Sequence, residues 1–165
     1  MSETQPQKEI IYVFIDSQNL NLSIRDQGWK LDFAKFKKYM TDRFKPKRLF
    51  FFIGFVKENK GLYKYLKELG YTLIFKPTLR TKNEKVKGNV DAELVLHSMI
   101  EYGNYSKAII ISGDGDFHCL IKYLKNNNKL HKLIIPNKYK YSSLLRGFNK
   151  YILFLNKTRE KLEKE

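Results

Sequence analysis

Uninterrupted apolar runs constrain this chain more than any other feature. Ile10–Ile15 reads IIYVFI, Lys47–Val56 reads KRLFFFIGFV and Ala108–Ser112 reads AIIIS. A strand with one wet face alternates apolar and polar residues; a strand apolar at successive positions needs cover on both faces. Shorter runs at Tyr71–Phe75, Leu133–Pro136 and Tyr151–Phe154 read as further strands. Helical segments separate them. SQNLNLSIRDQG closes at Gly28, and Asp32 caps a helix over roughly 33–44 that shows Phe33, Phe36, Tyr39, Met40 and Phe44 on one face. Further helices are predicted at 60–69, stopped by Gly70, at Asp91–Tyr102 and at 117–127. Strand and helix in alternation predict an α/β fold, a three-layer sandwich around a mainly parallel sheet of five or six strands. Its crossovers are right-handed, and its functional crevice lies beyond the strand C-termini, where strand order reverses.

The chain of 165 residues predicts one domain over 10–155, a disordered segment at 1–9 and a charged helix or tail at 156–165. It carries 32 Lys and Arg against 17 Asp and Glu, a formal charge of +15. Such an excess favours a nucleic acid or an anionic membrane surface as partner. A genomic bias towards Lys, Asn, Ile, Tyr and Phe produces the same excess without function. No signal-like segment and no apolar run of 18 residues is present, so no membrane span is predicted and the cytoplasm is the default compartment. The single cysteine, Cys119, falls in an apolar helical pattern and reads as a reduced core residue.

Against this scarcity of acid, Asp16, Asp91, Asp114 and Asp116 stand out, each at a strand end or a helix start. If the first and fourth strands are neighbours at the switch point, Asp16, Asp114 and Asp116 converge and Asp91 can join them. Two carboxylates about 4 Å apart repel by about 4 kcal/mol at an effective dielectric near 20. A divalent cation relieves that repulsion, and hard oxygen donors select Mg²⁺ or Mn²⁺. The chain lacks the phosphate loop, dinucleotide fingerprint, zinc spacing and nucleophile elbow that would support other chemistries. Each aspartate also has a structural alternative: Asp16 as a plain strand end, Asp91 and Asp116 as helix caps. Asn19 can orient Asp16 or contact a phosphate, and Ser112 can donate to a carboxylate or a phosphate. Arg80, Lys82, Lys85 and Lys87 precede Asp91 and would form a cationic rim for a phosphodiester strand. Lys138, Lys140 and Arg146, beside Tyr139 and Tyr141, form another basic group whose tyrosines can stack bases.

FIDSQNL (14–20), KGNVDAELVLH (87–97) and SGDGDF (112–117) together resemble the three motifs of the NYN domain, a PIN-like nuclease group that includes LabA-like proteins. The resemblance implies a Rossmann-like, PIN-like parallel sheet and metal-dependent cleavage of RNA. It places Asp16, Asp91, Asp114 and Asp116 in the acidic site, with Asn19 as an accessory. The middle motif departs from the pattern: His97 stands where relatives often have an acidic residue, and GNVD replaces the common GVD. A lone histidine on an apolar helix reads as structural, and Glu93, two residues from Asp91, points elsewhere.

Charge, carboxylates and resemblance converge on a Mg²⁺- or Mn²⁺-dependent ribonuclease acting on single-stranded or flexible RNA. The alternative is an RNA-binding or regulatory module of weak or no activity, motivated by His97. Phosphatase and Toprim readings fit less well, because Gln18 and Asp16 stand where those enzymes need an aspartate and a glutamate. The sequence leaves a homodimer open.

Overall fold

A computed structural model describes residues 8–80, 86–87 and 89–165. Its central sheet contains β1 (Ile11–Asp16), β2 (Arg48–Gly54), β3 (Thr72–Lys76), β6 (Lys107–Ile111), β7 (Leu130–Ile135) and β8 (Ile152–Phe154). Strand order is β3-β2-β1-β6-β7-β8, with every neighbouring pair parallel. The reversal lies between β1 and β6, paired from Ile11↔Lys107 to Ile15↔Ile111. The predicted first and fourth strands are therefore the neighbours at the switch point. A separate antiparallel pair, β4 (Leu79–Arg80) and β5 (Val86–Lys87), stands in the polar connection that precedes Asp91.

Among the described residues the α-helices are α1 (Ser17–Arg25), α2 (Phe33–Phe44), α3 (Lys60–Glu68), α4 (Asp91–Ile100), α5 (His118–Asn126) and α6 (Arg159–Leu162). Right-handed crossovers put α1 to α3 on one face while the chain moves outward from β1, and α4 and α5 on the other once it returns to β6. The two faces are visible in the strands. Val13, Ile15 and Phe51 pack with Leu20, Phe36, Met40 and Leu66. Tyr12, Phe14, Phe50 and Phe52 pack with Leu94, Leu120 and Ile121. Phe14 has no exposed surface, and its truncation to alanine should cost about 3–5 kcal/mol. Gly28 and Gly70, at φ 87° and 103°, end helical segments at the two positions expected from sequence.

Two expectations change. Cys119 is exposed, because α5 turns Leu120, Ile121 and Leu124 inward and leaves the cysteine on the outer side. The C-terminal segment is less solvated than its charge implied. Leu162 is fully buried, and Asp32 N–H donates to its carbonyl at 2.8 Å, so α6 closes over α2. Residues 1–7 of the expected disordered segment lie outside the described residues.

Candidate metal centre

The centre begins where β1 stops. Asp16 is the last residue of β1 and the N-cap of α1. Its Oδ1 accepts the Asn19 N–H at 3.2 Å, and its Oδ2 accepts the Ser112 hydroxyl at 2.9 Å. Ser112 follows β6, and its Oγ in turn accepts the Asp114 N–H at 3.0 Å. Asn19 Oδ1 accepts the Gly113 N–H at 2.8 Å, which ties α1 to the loop after β6. Asp114 turns back on itself, its Oδ1 accepting the Asp116 N–H at 2.9 Å. The loop has no room to spare. A Cβ on Gly113 would lie 3.1 Å from that of Tyr141, and one on Gly115 would collide with the Ser142 hydroxyl.

Asp91 arrives from the other side of the switch point, in the first turn of α4. One oxygen each from Asp16, Asp91 and Asp114 lie within 4.8 Å of one another. Asp91 Oδ2 is buried and, among the described residues, has no hydrogen-bond partner. Burial, then Asp114, then Asp116 and Asp16, pushes the Asp91 carboxyl up to about 7. Asp16, 4% exposed, is also raised, by burial first and by Asp114; its bonds from Asn19 and Ser112 oppose the shift. Three carboxylates sharing one space, one with a buried oxygen unpartnered, make a hard, all-oxygen donor set that fits a metal ion.

Asp116 lies outside this group of three. It is exposed and acts on Asp91 from the rim. The cap, the structural alternative for Asp116, is made by Asp114, because a 3₁₀ turn at Gly115–Phe117 precedes α5 and moves the chain's entry one turn earlier. Asp91 does not cap α4 either: Val90 holds that position without a side-chain bond, and Asn89 Oδ1 accepts the Asp91 N–H at 2.8 Å. Ser112 is 1% exposed and its hydroxyl donates to Asp16, the carboxylate of its two alternatives. Arg80 and Lys87 stand on the β4–β5 pair leading to Asp91, whereas Lys82 and Lys85 fall outside the described residues. His97 is half-buried with its ring 5.8 Å from that of Phe52. It lies about one and two-thirds turns beyond Asp91 on α4.

The profile of the NYN domain matches residues 10–155. The chain belongs to the NYN domain family. Its fold is accordingly that of the PIN-like nucleases. The low amplitude and bright protein LabA of Synechococcus elongatus is 24% identical over 162 residues, covering 92% of this chain and 87% of LabA. A protein of unknown function from Vibrio parahaemolyticus, known from its crystal structure, superposes with a TM-score of 0.79 at 18% identity. That likeness spans 98% of this chain and all of the other, and it shows the fold.

Within this NYN domain, the residue that sequence reasoning passed over is Asn89. It is the extra residue in GNVD, seen as a departure and not as a part. Its side chain takes the Asp91 N–H, and its carbonyl accepts the Lys76 Nζ. The signal was an Asx residue two positions before a candidate aspartate at a helix start, a spacing that satisfies a first-turn amide.

Proposed function

We propose that this NYN domain is a metal-dependent ribonuclease that hydrolyses phosphodiester bonds in single-stranded or flexible RNA. One observation carries the reading: Asp16, Asp91 and Asp114, from three separate elements, converge within 4.8 Å at the sheet's switch point. The excess of positive charge, +15, suits a polyanionic substrate. Asp16, Asp91 and Asp114 would hold Mg²⁺ or Mn²⁺, and such an ion supplies Lewis acidity and charge neutralisation at a phosphate. Asp16 is the anchor, with both oxygens held by neighbours. Asp91 completes the donor set from α4, its buried Oδ2 being an acceptor that no described residue satisfies, while water forms the new P–O bond as the ester oxygen leaves phosphorus. Asp116, at the exposed rim, orients that water from the solvent side. The attack is in line and no protein nucleophile is needed.

End-labelled RNA incubated with Mn²⁺ or Mg²⁺ tests this. The wild-type protein should cleave, EDTA should stop it, and Asp16→Asn and Asp114→Asn should each lose on the order of a hundredfold or more in rate. Equal cleavage by all three proteins would sink the reading. RNA binding without turnover in any divalent cation would replace it with the RNA-binding module.

A further inference from the structure

A second feature occupies the same edge of the sheet. Beyond the C-terminal ends of β7 and β8, and beside the end of α1, lies an open cleft of about 610 Å³. Cavities that take small molecules or nucleotides span about 300–1,000 Å³. Its cations are Lys138, Lys140, Lys157 and Arg159, and its one carboxylate is Asp26. Lys140 Nζ lies 3.5 Å from Asp26, and Arg159 is held by Glu163 at 3.0 Å. Lys138 and Lys157 have no such ion pair among the described residues. Tyr139 stands at the rim with 79% of its surface exposed and the Lys138 ammonium 5.0 Å from its ring centre.

The floor of this cleft is rigid. Asn137 is 4% exposed, and its Oδ1 accepts the Tyr139 N–H at 3.0 Å and the Asn156 amide at 3.3 Å. Asn156 Oδ1 accepts the Lys138 N–H at 2.8 Å, and its amide also donates to Gln27 Oε1 at 3.1 Å. Gln27 donates to the Pro136 carbonyl at 2.9 Å. The backbone carrying Lys138 and Tyr139 is therefore fixed before any ligand arrives, which lowers the entropic cost of binding.

The cleft is joined to the carboxylates by two routes. Along α1 and the turn that ends it, Asn19, Ser23 and Gln27 follow at four-residue spacing, linked at 3.5 Å and 3.0 Å, and Asn19 holds the Gly113 amide of the metal-centre loop. The loop after β7 starts at the cleft with Asn137 and ends against the centre, where Ser142 N–H donates to the Gly113 carbonyl at 3.0 Å. The length of α1 sets the separation at roughly 15 Å.

We infer that this cleft is a binding subsite for single-stranded RNA, in which Tyr139 stacks a base and Lys138 and Lys157 contact backbone phosphates. Cations alone would serve any polyanion. An exposed aromatic ring between lysines, on a rigid floor and on the edge that bears the carboxylates, matches the stacking platform and cationic groove used for single strands. The inference rests on the proposed RNA substrate and adds where the strand lies relative to the centre.

The test uses the full chain carrying Asp16→Asn, with EDTA present to suppress residual cleavage, and a short, unstructured, fluorescently labelled RNA. Affinity is read by anisotropy across a salt series. Adding Tyr139→Ala should weaken binding roughly tenfold and leave the salt slope unchanged, while Tyr139→Phe should retain affinity. Adding Lys157→Ala should weaken binding and lower the slope by about 0.7, the value for one lost phosphate contact on a single strand. The inference is overturned if the parent binds RNA and both alanine variants match its affinity and slope, or if the parent does not bind RNA. Binding that depends on Tyr139 in a wild-type protein that cleaves nothing would keep the subsite and remove the nuclease.

Discussion

The two halves of the metal centre are built differently. On the β1 and β6 side, each acidic group is pinned: Asp16 by Asn19 and Ser112, Asp114 by Ser112 and its own turn. On the α4 side, Asp91 has its backbone amide satisfied by Asn89 and one carboxylate oxygen buried without a partner. The first half is preorganised by hydrogen bonds that stabilise fixed positions. The second keeps an uncompensated carboxylate, raised to about 7 by burial and by its acidic neighbours. On the proposed reading the centre separates holding from reacting: hydrogen-bonded donors come from strand ends, and the carboxylate with an unpartnered buried oxygen comes from a helix start.

Removing a pinned carboxylate should have the largest effect, and it tests whether the two halves are equally needed. Asp16→Asn preserves shape but removes a negative donor from the centre of the network. RNA cleavage should fall on the order of a hundredfold or more, with little change in fold by circular dichroism. Asp91→Asn should give a comparable loss. A Asp91→Asn protein that cleaved at the wild-type rate would confine the chemistry to the pinned half.

That asymmetry also explains what could be read from the chain. Asp16 and Asp114 were legible because apolar runs end on them, and an open parallel sheet brings such ends together at its switch point. The fold was legible for the same reason, since continuous apolar runs leave few architectures. Asp91's approach was less so. The β4–β5 pair and the Asn89 bond are local polar geometry, which periodicity does not encode. The place of Asp116 was less legible, because a 3₁₀ turn precedes α5 and Asp114 makes the cap that was the structural alternative for Asp116. The exposure of Cys119 and the burial of Leu162 were not legible, because a short amphipathic segment is set on one face or the other by its neighbours' packing, not by its own composition.

A second effect should appear in stability and run opposite to activity. Asp91 holds its proton more tightly folded than unfolded, because burial and then Asp114 raise it to about 7 from an ordinary value of 3.8. The stability this contributes is complete below 3.8 and is lost as pH rises through about 7. With EDTA present, the wild-type protein should lose roughly 1–2 kcal/mol over that window, a figure reduced for the group's partial exposure. Asp91→Asn should flatten the dependence and raise Tm at pH 8 by about 2–4 °C per kcal/mol. Mg²⁺ or Mn²⁺ should raise the wild-type Tm at pH 8 and do less for the variant. Identical pH profiles for the two proteins would show that the α4 half is not strained.

Ser112→Ala probes the pinned half more gently. It deletes the donor to Asp16 Oδ2 and the acceptor for the Asp114 N–H at one position that is 1% exposed. Stability should fall by about 1–3 kcal/mol, the cost of leaving buried groups unsatisfied. Cleavage should fall roughly 10–100-fold through misplaced ligands, with weaker apparent affinity for the cation.

Asn89→Ala should have the smallest effect, and it asks whether the α4 half has any preorganisation of its own. The substitution removes the acceptor of the Asp91 N–H, an exposed bond worth about 0.5–1.5 kcal/mol. The unsatisfied amide then competes for the nearest carboxylate. Asp91 would be drawn towards a local capping role and away from Asp16 and Asp114. Global Tm should hardly move, because the bond lies at an exposed helix start. Half-maximal cleavage should need several-fold more Mn²⁺, and Asn89→Asp should recover most of the difference by restoring an acceptor at the same spacing. An unchanged Mn²⁺ requirement in Asn89→Ala would mean that α4 alone positions Asp91, and that the extra residue in GNVD is a spacer.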